Sequence, residues 1–64
     1  MAREVLFEIT RIGNSAKATA FDSTSLVEAT IVGPTSASDA QLKNAALRKL
    51  DYLLAKRREQ SGGR

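Results

Sequence analysis

The 64-residue chain has no cysteine, no histidine and no tryptophan, a single proline, and only three aromatic residues, Phe7, Phe21 and Tyr52. Without cysteine, a disulfide framework and a thiolate metal site are excluded. Without histidine, the commonest metal ligand and the usual neutral-pH proton shuttle are missing, so no Ser-His-Asp or Cys-His arrangement can be assembled. No apolar run approaches the ~20 residues that span a bilayer. The start, Met1-Ala2-Arg3-Glu4, passes into an alternating pattern rather than a signal-peptide core. Gly13 and Gly33 mark turns and stand in no phosphate-cradling G-x-x-x-x-G-K-[ST] run. The carboxylates are too dispersed for a magnesium or calcium cluster. Glu8 and Glu28 form a pair only on a solvated sheet face, with no cleft to shift a pKa. What remains is a soluble, cytoplasmic, non-catalytic single domain for which no cofactor, metal, membrane or small-molecule substrate is expected. A chain this short hides only about 60% of the surface its unfolded form exposes, so the core is thin.

Residues Glu4–Ile12 alternate with period two. Val5, Phe7 and Ile9 point one way, and Leu6, Glu8, Thr10 and Ile12 the other, which reads as a strand. Ser15–Phe21 alternates as well, Ala16, Ala18 and Ala20 against Lys17, Thr19 and Phe21. Alanine is a poor strand former, but seven residues between two turn signals suit a strand. A two-residue Gly13-Asn14 loop sets Ile12 opposite Ser15, Thr10 opposite Lys17, Ile9 opposite Ala18, Glu8 opposite Thr19, Phe7 opposite Ala20 and Leu6 opposite Phe21. A slip of one residue sets apolar against polar side chains. Asn-Gly is the stronger order for such a turn, so a longer loop with a bulge stays open. Asp22-Ser23-Thr24-Ser25 is a polar turn, and Leu26–Val32 is a third strand with Val27, Ala29 and Ile31 on one face. Gly33-Pro34 ends it.

Beyond Pro34 the period becomes 3.6. Ser38 and Gln41 fit a capping box, so a helix starts near Asp39, with Asp39 and Lys43 as an i, i+4 pair. Leu42, Ala46, Leu47, Leu50, Leu53 and Leu54 form its apolar stripe as it runs to about Gln60. The reading is an α+β fold of one domain, residues 1–60. A three-stranded antiparallel meander, order 1-2-3, carries a single long C-terminal helix on one face, and 61–64 form a flexible tail. The alanines of the central strand let the helix approach, with Phe7, Ile9 and Ile31 as walls on either side.

Charge is unevenly placed. Residues 1–40 hold three basic groups against five acidic ones, a balance of −2; residues 41–64 hold seven against two, a balance of +5. Arg48, Lys49, Tyr52, Lys56 and Arg58 are therefore the candidate phosphate or partner contacts. The plainer account is a solvated helix end whose cations complement the dipole. Arg57 falls on the core-side stripe and snorkels. On the back of the sheet, Leu6 and Phe21, with Ile12, Leu26 and Val32 as further members, form a candidate association patch.

The runs Ala2-Arg3-Glu4-Val5-Leu6-Phe7-Glu8, Arg11-Ile12-Gly13-Asn14-Ser15, Ile31-Val32-Gly33-Pro34 and Ala46-Leu47-Arg48-Lys49-Leu50-Asp51-Tyr52 resemble a family of short uncharacterised bacterial proteins, chiefly alphaproteobacterial. The resemblance reaches to about Lys56. It implies a stand-alone small domain and no assigned activity. Some members carry larger residues at the positions of Ala16 and Ala18, which implies a lighter core here. Two functions follow: a protein-interaction or self-associating module, with a homodimer or an unknown protein as partner, or a nucleic-acid-associated protein using the basic helix.

Overall fold

The change of period at Pro34 divides the molecule into a sheet and a helix. The computed structural model describes residues 4–62, with side chains as far as Arg58. Strands β1 (Val5–Ile12), β2 (Ser15–Asp22) and β3 (Glu28–Pro34) form one antiparallel sheet in the order β1-β2-β3, followed by helix α1 (Asp39–Gly62). This is the α+β meander and helix that the two periods demand.

The first hairpin has the register of a two-residue loop throughout, from Ile12 opposite Ser15 to Leu6 opposite Phe21. No bulge interrupts it. Gly13 lies at φ 59° and Asn14 keeps a negative φ. A turn with glycine at its first central position is one of the two whose twist matches the strands it joins.

The second hairpin corrects the sequence reading. Alternation puts the third strand from Leu26, but β3 begins at Glu28 and Leu26 belongs to the turn. The Asp22 N–H donates to the Val27 carbonyl at 2.9 Å, and the Leu26 N–H donates to the Asp22 carbonyl at 2.8 Å. Reversing the chain over four residues in this way takes a left-handed residue, and Leu26 adopts φ 64°. The polar residues satisfy the loop's own backbone: Asp22 Oδ1 accepts from the Thr24 N–H at 2.9 Å, and Ser25 Oγ from the Val27 N–H at 3.3 Å. A left-handed leucine costs about 1 kcal/mol relative to glycine, and the exposed Leu26 side chain has little packing to lose. Leu26→Gly is therefore expected to gain roughly 0.5 kcal/mol after glycine's own entropy cost. In a thermal melt this appears as a rise of a few degrees in Tm, while the β-branched Leu26→Val lowers it.

The core lies on one face of the sheet. Ala16, Ala18 and Ala20 of β2 and Ala29 of β3 meet Leu42, Ala46 and Leu50 of α1, none more than 2% exposed. Small side chains on both sides bring the helix close to the strands. Gly33 continues the low surface, since a Cβ there would stand 3.2 Å from Leu42 Cδ2. The helix is not centred between two walls as the sequence suggests. It lies over β2 and β3 and scarcely touches β1, leaving Phe7 and Ile9 half-buried. The Lys43 ammonium sits 5.8 Å from the Phe7 ring centroid.

The capping box forms reciprocally. The Gln41 N–H donates to Ser38 Oγ at 3.1 Å, and the Ser38 N–H donates to Gln41 Oε1 at 2.9 Å. Asp39 does not take Lys43 as its partner. Its carboxylate meets Arg11 Nη1 at 2.8 Å, while Arg11 Nη2 donates to the Ala37 carbonyl at 2.8 Å. One arginine thus fastens the end of β1 to the start of α1. The helix reaches Gly62, two residues beyond Gln60, so Ser61 and Gly62 of the expected tail are helical; Gly63 and Arg64 lie outside the described residues. Its 24 residues extend for about 36 Å against about 26 Å for an eight-residue strand, so the helix outruns the sheet.

Candidate interaction surfaces

The face turned away from α1 is ordered by the two registers. Four rows cross it: Leu6-Phe21-Glu28, Glu8-Thr19-Thr30, Thr10-Lys17-Val32 and Ile12-Ser15-Pro34. Leu6 is 53% exposed, Ile12 75% and Val32 71%, while Phe21 is partly buried. Thr19 Oγ1 and Thr30 Oγ1 lie 3.0 Å apart in a cross-strand hydrogen bond at the centre. Leu6 and Phe21 are direct neighbours, as the patch requires. Ile12 and Val32 are at the opposite end, separated from them by the polar row, and Leu26 is on its turn. The single patch is therefore two apolar ends of one face. At the Ile12 end a shallow hollow of about 280 Å³ is lined by Thr10, Ile12, Ser15, Ala16, Lys17 and Val32. Pairing rules give the neighbours of that hollow, but its depth depends on side-chain size and sheet twist.

The basic candidates do not converge. At 100° per residue Lys49, Tyr52 and Lys56 share one side of α1, with Arg48 about 100° and Arg58 about 180° from Lys49. Lys49 Nζ donates to the Thr30 carbonyl at 2.9 Å. The Asp22 N–H bond to Val27 sets the alternation of the β2–β3 ladder: 20 with 29 and 18 with 31 exchange bonds, so Thr30 aims its carbonyl outward from β3. Lys49 is thereby engaged at the sheet edge, a role invisible in helical spacing alone. The Lys56 ammonium lies 5.8 Å from the centroid of the Tyr52 ring, which is 61% exposed. Arg48, Arg57 and Arg58 are all exposed.

Among the described residues, no three acidic, histidine or cysteine side chains gather where they could hold a metal ion. Among the same residues, no helix is long and apolar enough to cross a membrane. Comparison with curated proteins and with solved structures finds no match to the chain. One family model does match, a domain of unknown function (DUF6898), over residues 2–57. With all three strands and α1 as far as Arg57 inside that span, the chain belongs to the DUF6898 family.

Proposed function

We propose that this domain is a non-catalytic protein-interaction module of the bacterial cytoplasm whose contact surface is the outer face of its sheet. The observation that supports the reading is the exposure of Leu6, Ile12 and Val32 on one face of a chain poor in large apolar side chains. Threonine or lysine at these positions would keep the alternation and leave the face wet, as Glu8, Thr10 and Lys17 do around them. Apolar side chains gathered on a solvent-facing sheet supply the chemistry of a contact surface. The test is photo-cross-linking in cells with a benzophenone amino acid at Val32 or at Asn44, which is exposed on the back of the helix. Adducts are expected from Val32 and not from Asn44; equal labelling overturns the reading.

The second reading, nucleic-acid association through Arg48, Lys49, Tyr52, Lys56 and Arg58, draws on the +5 balance of residues 41–64. It is weakened by the engagement of Lys49 at the sheet edge and by the divergence of Arg48 and Arg58. Retention on duplex DNA that collapses between about 50 and 200 mM salt, and is lost in Arg48→Glu with Arg58→Glu, would put it first.

A further inference from the structure

Building on the outer-face reading, we propose that the molecule covering this face is a second copy of the same chain, stacked with its strands reversed so that Phe21 of each copy enters the hollow beside Ser15 of the other. Two sheets meeting face to face lie about 10 Å apart with strands roughly aligned. A two-fold axis between them runs either across the strands or along them. Across the strands, each strand lies over its own counterpart and the order of the four rows reverses. The partner's Leu6 then lies over Ile12 and the partner's Phe21 over Ser15, within the 280 Å³ hollow flanked by Ile12, Lys17 and Val32. Lys17 comes over the partner's Thr19, beside the partner's Glu8. Along the strands, Lys17 faces Lys17 and Leu6 faces Glu28, so like charges meet and an apolar side chain is set against a carboxylate.

The charge pattern selects the first arrangement. Arg11 pairs with Asp39, whereas the Lys17 ammonium and the Glu8 carboxylate pair with no side chain among the described residues. Reversed stacking gives each a partner of opposite sign. It also fills the hollow with the aromatic from the opposite end of the same face, so the surface is self-complementary in shape and in charge. Self-complementarity of this kind is what a two-fold interface demands. The face measures about 26 by 14 Å from strand length and spacing. That is less than half of the ~800 Å² per partner of a standard interface, so association is expected to be weak.

The experiment is sedimentation velocity on the full chain from about 10 µM to about 1 mM, the range such an interface calls for. The wild type is expected to pass from monomer to dimer. Lys17→Glu and Glu8→Lys, both at exposed positions, are each expected to weaken the dimer about tenfold by like-charge repulsion, and the double variant to restore it. Arg48→Glu is expected to change nothing. A wild type monomeric at the highest concentration overturns the second copy as the occupant, and Val32 adducts to another protein would then leave the outer face standing as a contact surface. A dimer indifferent to both single reversals, or not restored in the double variant, overturns the reversed stacking.

Discussion

Leu50→Ala is expected to leave this domain without a folded baseline at 25 °C. Leu50 is the largest side chain wholly removed from solvent. Truncating a buried leucine costs about 2–5 kcal/mol, more where the surroundings cannot close on the gap. Here they cannot: much of the neighbouring core is Ala16, Ala18, Ala20, Ala29 and Ala46, whose methyl groups are fixed to the backbone and have no rotamer to move. A single small core rarely supplies more than ~3–5 kcal/mol, and a chain without cysteine has no disulfide to add to it. The loss is thus about as large as the total. A far-UV circular dichroism melt reads it directly, with Leu53→Ala, at a half-buried position, as the milder comparison. Should Leu50→Ala melt cooperatively at the wild-type temperature, the account of the core is wrong.

Ala18→Leu sets two effects of opposite sign against each other. Strand propensity penalises alanine in the middle of a sheet, so a larger apolar side chain on the same face is an improvement by that measure alone. Ala18 is fully buried beneath α1, with Ile9 opposite on one neighbouring strand and Ile31 on the other. Extra methylenes there push the helix away from the sheet, at a cost of about 1–3 kcal/mol or more. Overpacking outweighs the gain in propensity, and urea denaturation is expected to give a midpoint well below the wild type. A higher midpoint would mean that the alanine row is slack rather than a seat for the helix.

Much of this architecture is legible because local chemistry and long-range packing ask for the same residues. Gly13-Asn14 fixes the β1–β2 register, and that register alone places Leu6 beside Phe21. Ser38 and Gln41 announce the helix start and then cap each other's backbone. The alanines of β2 make sense as a strand only once a helix must lie on them. The features that escape are those decided between elements. Leu26 carries no signal of its turn, because glycine or asparagine is the usual sign of a left-handed position. Asp39 has a suitable partner one helical turn away and takes Arg11 across the fold instead. The helix settles toward β3 because Ala29 and Gly33 are low there, while Phe7 and Ile9 stand high on β1. That comparison of bulk is available in the residues and is missed when each face is counted only as apolar or polar. On the outer face, the register gives the neighbours but not the hollow, and Lys49 looks like a phosphate ligand until the Thr30 carbonyl is seen beneath it.

The Lys49 contact has a consequence for the limits of assembly. A sheet lengthens sideways only if each unit offers two receptive rims, one to be joined and one to pass the joining on. On the β3 rim the Thr30 oxygen is already occupied, and Pro34 has no N–H to donate. The β3 rim is therefore the poorer template for sideways pairing, and the β1 rim, with Val-Leu-Phe along it, the better one.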